Sequence, residues 1–183
     1  MFLISACLIG KKCRFDGRTL EGPPELRDWA EEVVAICPEE LGGLSTPRLP
    51  AELVGGDGNA VLLGKAKVLR SDGQDLTLDF LKGAREALRI ARACGAEKAF
   101  LKARSPSCGC GSIYDGTFGG AVVSGMGVTA ALLASSGIAV FDEENEEEMI
   151  RALRSHLNLL SDFRGAFQYA PAFLLAFERW LKA

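Results

Sequence analysis

The hydrophobic pattern of the chain alternates between short apolar runs, typical of buried strands, and longer segments with helical spacing. The short runs cover residues 2–6, 33–36, 99–101 and 138–141. Helical segments are predicted at residues 25–31, 75–94, 125–136 and 143–160. Strands that alternate with helices predict an α/β fold: three αβα layers around a mainly parallel, Rossmann-like sheet.

The stretches between these segments give weaker predictions. Residues 45–59 are rich in proline and glycine and predict an irregular loop. The apolar runs 61–63 and 66–69 flank Gly64-Lys65 and predict a hairpin. The amphipathic segment 166–182 is expected to pack on the domain or on a second subunit, which leaves a homo-oligomer open. A chain of 183 residues is expected to form a single domain, 1–183.

Composition and charge exclude several classes of partner. The chain is 48% hydrophobic and 25% charged, which is ordinary for a globular protein. Its net charge of −3 gives no general attraction to nucleic acids or anionic membranes. No apolar run is long enough to span a bilayer. The apolar start of the chain has no basic region before it, and Cys7 and Cys13 follow closely, so we expect a cytoplasmic strand and not a secretory signal.

Three of the six cysteines share a placement that suggests a common site. Cys7, Cys37 and Cys108 each lie at or just beyond the end of a predicted strand. The carboxyl ends of parallel strands converge on one edge of a sheet, where ligands bind. We therefore expect these three thiols to meet there. Cys13 follows Cys7 in the same loop and is expected to join them or to replace one of them.

The cysteine spacing favours an iron–sulfur cluster over two other kinds of site. Structural zinc usually uses paired Cys-x-x-Cys motifs, and this chain has none. A disulfide oxidoreductase also uses Cys-x-x-Cys, whereas the chain offers only Cys108-Gly109-Cys110. An iron–sulfur cluster accepts cysteines from separate segments. The single histidine, His156, excludes a site built on several histidines.

Several motifs, taken in order, resemble the family once called domain of unknown function 523, some of whose members are thiouracil desulfidases. The motifs are Ser5-Ala6-Cys7-Leu8-Ile9-Gly10, Cys13-Arg14-Phe15-Asp16-Gly17, Cys37-Pro38-Glu39, Gly42-Gly43-Leu44, Ser105-Pro106-Ser107-Cys108-Gly109, Ile113-Tyr114-Asp115-Gly116-Thr117-Phe118 and Gly127-Val128-Thr129-Ala130-Ala131-Leu132-Leu133. The resemblance divides the domain into a core, 1–143, that carries the site, and a C-terminal helical segment, 144–183.

The resemblance implies a [4Fe–4S] cluster held by Cys7, Cys37 and Cys108, with Cys13 as the fourth candidate. An iron without a protein ligand would act as a Lewis acid towards the soft sulfur of a thiocarbonyl. The implied reaction is the non-redox hydrolytic desulfuration of a small thiolated pyrimidine such as thiouracil, with release of hydrosulfide.

Three residues near the cysteines are candidates for roles in this reaction. Glu39, two residues after Cys37, is the candidate general base for water attack. Its alternative role is a salt bridge to Arg14 or Arg48. Ser105 is the candidate proton donor or relay, and Ser107 is its competitor and a candidate contact with substrate.

Two other functions use the same cysteines differently. A non-catalytic metal- or iron–sulfur-binding protein for sulfur handling or redox sensing would need neither Glu39 nor Ser105. An enzyme with Cys108 as nucleophile and no metal would need a nearby base, but the only histidine is predicted on a distant helix.

Overall fold

The computed structural model describes residues 1–20, 33–145 and 151. The chain divides into two compact units, Met1–Asn145 and Glu146–Ala183, and the architecture below is that of the first. This division falls beside the predicted end of the core at residue 143. The predicted helices at 25–31 and beyond 145, the segment 166–182 and His156 lie outside the described residues.

The first unit contains eight described strands and four described α-helices. The strands are β1 Phe2–Ser5, β2 Val33–Ile36, β3 Ala51–Val54, β4 Lys67–Arg70, β5 Lys98–Leu101, β6 Ser112–Tyr114, β7 Val122–Ser124 and β8 Ala139–Asp142. The helices are α1 Pro38–Gly42, α2 Gly58–Leu62, α3 Thr77–Ala93 and α4 Val128–Ser135. None of the helices in the described part of the chain combines the length and apolar character that crossing a bilayer requires.

A four-stranded parallel sheet forms the centre of the unit. Its strand order is β2-β1-β5-β8, so β1 and β5, which are far apart in sequence, lie side by side. In the register of the sheet, Leu3 lies opposite Val34 on one side and Ala99 on the other. These strands agree with the four apolar runs, and the α/β prediction with a parallel sheet flanked by helices is confirmed.

The two faces of the parallel sheet carry different side chains because successive residues of a strand point to opposite faces. Leu3, Ala99 and Leu101 belong to a core shared with α3 and α4. Phe2 and Phe100 alternate with them, and their rings contact edge to face at 5.6 Å. Both faces are buried in β1 and β5, as expected for the inner strands of a parallel sheet.

Helix α3 packs closely because small residues form its inner surface. Ala84, Ala87 and Ala91 are fully buried. A Cβ atom at Gly83 would lie 1.9 Å from the carbonyl oxygen of Pro38, so this glycine lets α1 approach the α3 backbone. Helix α1, which begins directly after Cys37, is thereby held against α3.

The hairpin predicted at 61–69 is wrong, and the irregular loop predicted at 45–59 contains a strand, although the strand predicted at 66–69 is present as β4. Val61 and Leu62 lie in α2, and the strand β4 pairs antiparallel with β3, which lies inside the predicted irregular loop. Short apolar runs do not by themselves distinguish a strand from one turn of helix. A second antiparallel pair, β6 and β7, was not predicted, and both pairs flank a second core that includes Leu53, Val68 and Ile113.

Candidate functional site

Three segments that follow neighbouring parallel strands form one wall of a cavity. The cavity has a volume of about 740 Å³, and Cys7, Cys13, Cys37 and Cys108 all line it. Cys7 follows β1, Cys37 follows β2 and Cys108 lies in the loop after β5. The structure thus brings together the four predicted cysteines, which we call the cysteine wall.

The loop after β1 reverses direction so that two of its cysteines reach the cavity. A 3-10 helix, Ala6–Ile9, ends at Gly10, whose φ of 83° lies in the left-handed region that favours glycine. The N–H of Lys11 then donates to the carbonyl oxygen of Ala6 at 3.1 Å. Cys7 and Cys13 are 7% and 3% exposed, so both thiols are buried at the cavity.

Cys37 caps the N-terminus of the short helix α1, and Pro38 occupies the first helical position. Its thiol contacts the carbonyl oxygen of Cys13 at 3.7 Å. Hydrogen bonding with Cys13, followed by burial, raises the pKa of Cys37. For Cys13, hydrogen bonding with Cys37 lowers the pKa, but Cys7 and burial raise it, and the pKa reaches about 11. Cys13 therefore interacts with both Cys7 and Cys37.

Cys108 reaches the cysteine wall through a tight loop. The N–H of Cys108 donates to Oγ of Ser105 at 3.1 Å, which holds the turn closed. Burial is the main cause that raises the pKa of Cys108 to about 12, although a hydrogen bond with Ser5 opposes it. The raised pKa values of Cys13, Cys37 and Cys108 favour the protonated thiols in the absence of a cation, and a metal would deprotonate its cysteine ligands on binding.

Glu39 lies in the first turn of α1 and lines the cavity. Its Oε2 accepts a hydrogen bond of 2.7 Å from Nε of Arg48, and the two side chains are 15% and 7% exposed. The ion pair considered for Glu39 therefore exists with Arg48. Within residues 1–20 and 33–145, Oε1 of Glu39 has no hydrogen-bond partner, so one carboxylate oxygen remains able to accept a proton.

Arg48 was not among the predicted site residues, yet it connects three parts of the cavity. Besides Glu39, its guanidinium donates at 3.0 Å to the carbonyl oxygens of Cys13 and Ser45 and to the Thr46 hydroxyl. The proline-rich context of Arg48 gave no signal for these wider contacts, because two of the partners, Glu39 in α1 and Cys13 in the loop after β1, come from other segments. The other arginine considered as a partner of Glu39, Arg14, instead pairs with Asp16 at 3.1 Å.

The two candidate serines occupy different environments. Ser105 lines the cavity, and its oxygen accepts the N–H groups of Ser107 and Cys108, both at 3.1 Å, so its hydrogen remains for donation. Ser107 is 1% exposed, and its hydroxyl pairs with that of Thr129 at 2.8 Å. Ser107 does not line the cavity, so its position does not fit the predicted contact with substrate; it joins the cysteine loop to α4.

The two remaining cysteines are not on the cavity wall. Cys94 packs against the core beside α3, and its thiol donates to the carbonyl oxygen of Ala91 at 3.4 Å. The Cys110 thiol donates to Oδ2 of Asp142 at 3.2 Å. Burial, followed by the hydrogen bond and charge of Asp142, raises the pKa of Cys110. The cysteine wall therefore excludes both residues.

The donor set of the cysteine wall suits a cluster better than a single ion. Among the described residues, no group of three or more histidine, cysteine or acidic side chains is arranged around one metal ion. The cysteines that bind a [4Fe–4S] cluster are spread around several irons. Thiols on separate strand ends, beside a cavity large enough for a further ligand, fit that requirement. The fold and site define an α/β protein with a thiol-rich ligand cavity at the carboxyl edge of its sheet.

Known proteins are similar to this chain in sequence and fold. The family model described as 2-thiouracil desulfurase matches residues 2–145. The chain is 43% identical over 152 residues to the uncharacterized protein YbbK of Bacillus subtilis (strain 168), a match that covers 82% of this chain and 100% of YbbK. It is also similar to a solved structure of a [4Fe–4S]-dependent thiouracil desulfidase, TudS, with a TM-score of 0.74 and 40% identity; the match covers 84% of this chain and 97% of that one. The chain belongs to the 2-thiouracil desulfurase family, which confirms the resemblance of its motifs.

Proposed function

We propose that this protein removes sulfur from a small thiolated pyrimidine such as thiouracil, in a non-redox reaction that uses a [4Fe–4S] cluster and releases hydrosulfide. The observation that carries the proposal is the convergence of Cys7, Cys37 and Cys108 from three parallel strands on one cavity. Membership of the 2-thiouracil desulfurase family and the similarity to a cluster-dependent desulfidase support it.

Cys7, Cys37 and Cys108 would hold the cluster, and Cys13 is the fourth candidate. When bound through three cysteines, the cluster supplies a Lewis-acidic iron that prefers the soft sulfur of a thiocarbonyl. Cys13 already has hydrogen-bond partners within the protein. Its carbonyl oxygen accepts a hydrogen bond from Arg48, and its thiol interacts by hydrogen bonding with Cys7 and Cys37. These contacts favour a supporting role for Cys13 beside the three strand-end ligands.

Glu39 would accept a proton at Oε1 from the water that attacks the pyrimidine carbon. The bond between Arg48 and Oε2 fixes the carboxylate and leaves the other oxygen for this transfer. A base positioned in this way typically contributes about a hundred- to ten-thousand-fold in rate. Ser105, which keeps its hydroxyl hydrogen, would donate or relay a proton.

The reaction balances without a redox partner. The oxygen of water forms the new carbonyl, the carbon–sulfur bond breaks, and the electron pair of that bond leaves with sulfur as hydrosulfide. Glu39 takes one proton from water and passes it to solvent, and the second proton of water goes to the departing sulfur through Ser105, so that sulfur leaves as hydrosulfide. The free state of all six cysteines supports a reducing, cytoplasmic setting for this chemistry.

Anaerobic reconstitution with iron and sulfide tests the proposal. We expect an iron–sulfur absorption spectrum in the visible range and the release of sulfide from thiouracil, with uracil as the other product. Measuring uracil and sulfide together distinguishes desulfuration from leakage of cluster sulfide. An intact cluster with no sulfide release from any thiolated pyrimidine would overturn the enzymatic proposal in favour of a cluster-binding protein.

A further inference from the structure

The cavity has a second wall whose aromatic side chains take no part in the chemistry proposed above. Phe118 and Tyr114 belong to the loop region around β6, and both line the cavity that the cysteines line. Phe118 is 39% exposed although it is large and apolar. An exposed ring on the wall of a ligand cavity is a surface on which a flat ligand can stack.

The backbone at Phe118 has a conformation that bulky residues rarely adopt. Its φ is 58°, in the left-handed region, where a bulky residue is an outlier. Such a conformation persists only when the surrounding structure imposes it, and it is concentrated at ligand-binding sites. Glycine or asparagine would be easier to accommodate at this position. The presence of phenylalanine at this position therefore indicates that its ring has a function.

A buried carboxylate imposes this conformation. Glu52 on β3 is 8% exposed, and its Oε2 accepts the N–H groups of Gly116 at 2.9 Å and Phe118 at 3.0 Å. Gly116 has a φ of 86°, and a Cβ atom there would lie 2.3 Å from the carbonyl oxygen of Leu53. The loop is thus pressed against β3 and bound to it by Glu52. We call Glu52, Gly116 and Phe118 the aromatic clamp.

We propose that Phe118 is the stacking surface for the pyrimidine ring of the substrate and that Glu52 is the positioning residue that holds it in place. The inference rests on the proposed function for the identity of the ring. In this proposal the aromatic clamp recognises the pyrimidine ring, and the cysteine wall holds the cluster that would bind the sulfur. Substrate selection and carbon–sulfur cleavage would then use residues from different parts of the fold.

Two substitutions of Phe118 test the stacking role in the reconstituted protein. Phe118→Tyr keeps an aromatic ring. Phe118→Asn removes it but suits the left-handed backbone, so the loop is expected to keep its shape. Stacking of a base on an aromatic side chain corresponds to roughly 5- to 150-fold in affinity. We expect Phe118→Asn to raise the KM for thiouracil by a factor in that range with kcat changed little, and Phe118→Tyr to stay close to the unmodified protein.

Binding of uracil, measured by anaerobic calorimetry, gives a readout that does not require turnover. The ring of uracil is flat and that of 5,6-dihydrouracil is not, so stacking predicts a preference for uracil that Phe118→Asn abolishes. Equal binding of the two compounds by the unmodified protein, or an unchanged uracil Kd in Phe118→Asn, would overturn the inference. Failure of the proposed function is a different result: uracil binds with the Phe118-dependent preference, yet no sulfide leaves thiouracil.

The positioning role of Glu52 is tested by a pair of substitutions. Glu52→Gln keeps an oxygen that can accept both N–H groups, whereas Glu52→Leu removes it. We expect Glu52→Leu to weaken uracil binding as much as Phe118→Asn does, with iron content unchanged, and Glu52→Gln to restore most of the affinity. A Glu52→Leu protein with normal affinity for uracil would show that Glu52 does not position Phe118.

Discussion

The cysteine wall and the aromatic clamp line the same cavity but are built in opposite ways. Each cysteine follows a strand of the central parallel sheet, and local turns such as the one closed by Ser105 aim it at the cavity. The clamp instead depends on an antiparallel pair and on one carboxylate that reaches a residue 66 positions away. Local turns thus position the thiols of the cysteine wall, whereas a long-range contact positions the Phe118 ring that is proposed to bind the pyrimidine.

This difference predicts that mutations in the cysteine wall and mutations in the aromatic clamp impair different properties of the protein. Cys108 packs in the main core, whereas the strands β3 and β6 beside the clamp pack in the second core; both cores also include residues of α3 and α4. A change in one wall should therefore alter cofactor content, and a change in the other should alter affinity for the ring. The predictions below test this separation, from the largest expected effect to the smallest.

Loss of a cysteine ligand should have the largest effect. Replacing Cys7, Cys37 or Cys108 singly by alanine should remove most of the bound iron, because each contributes one of the three strand-end thiolates. Cys94→Ala is the matched control, since its thiol faces the core beside α3. Iron and acid-labile sulfide are measured after anaerobic reconstitution. Full cluster content in Cys108→Ala would contradict the ligand assignment.

Glu39→Gln should separate cofactor binding from catalysis within the cysteine wall. The amide keeps the size of the side chain and an acceptor for Arg48 but loses its basicity. We expect normal iron content and sulfide release slower by about a hundred- to ten-thousand-fold. Single-turnover sulfide release, normalised to iron content, is the measurement. A normal rate would transfer the role of base to another group, and loss of iron would show that Glu39 mainly supports the structure.

A matched pair of glycine substitutions compares the two walls directly. A Cβ atom at Gly127 would lie 2.4 Å from the carbonyl carbon of Ser107, so Gly127→Ala should displace the cysteine loop and lower iron content. Gly116→Ala should instead leave iron content normal and weaken uracil binding. Its left-handed backbone alone is expected to cost about 1–2 kcal/mol of stability.

Gly73→Ala is the control for this pair of substitutions. Gly73 has a φ of 90°, and a Cβ atom there would lie more than 4 Å from every neighbouring atom of the described residues. The substitution should therefore reproduce the backbone strain of Gly116→Ala without its effect on uracil binding. If Gly127→Ala and Gly116→Ala changed iron content and affinity equally, the two walls would not be separate.

The parallel sheet and the cysteine wall could be predicted from the sequence because their signals are local. A run such as Val33–Ile36 followed at once by Cys37 identifies both a strand and the thiol at its end. Helix α4 could likewise be predicted, because the apolar segment 125–136 has helical spacing and is followed by Gly137. These features need no knowledge of which distant segment each one contacts, apart from the rule that parallel strand ends converge.

The aromatic clamp and the wider contacts of Arg48 could not be predicted, because they depend on partners from other segments; the sequence suggested only the ion pair between Arg48 and Glu39. Glu52 has the sequence context of a surface residue in a loop, yet it is buried because two N–H groups of the loop after β6 bind it. The same limit explains the mistaken hairpin at 61–69: the true partner of β4 is β3, which lies before α2. The signal available at Phe118 was only its place within a motif.

Asp75→Ala should have the smallest effect and should change neither wall. Oδ1 of Asp75 accepts the N–H and hydroxyl of Thr77 at the start of α3, and these bonds, with Lys67, lower the pKa of Asp75 to about 2. Loss of these hydrogen bonds is expected to cost about 1 kcal/mol. The measurement is the urea midpoint at neutral pH, with Asp75→Asn as the control that keeps the acceptor.

The pH dependence of this effect has a definite sign. Because the folded-state pKa of Asp75 is lowered, its stabilising contribution is complete above the unfolded pKa, near 3.9, and disappears as the pH falls towards about 2. The stability difference between the unmodified protein and Asp75→Ala should therefore shrink over that interval. A difference that stayed constant from neutral pH to about pH 2 would contradict the stabilising role of the charged carboxylate.

The contacts of Arg48 have a consequence for engineering this cavity. One planar guanidinium serves the carboxylate of Glu39, the backbone at Cys13 and the turn at Ser45 at the same time. A lysine offers a single point charge and cannot reproduce this fork of donors. A designer who wishes to change the proposed base must therefore redesign Glu39, Arg48 and both loops together, whereas Phe118, the proposed stacking surface, can be exchanged without altering these contacts.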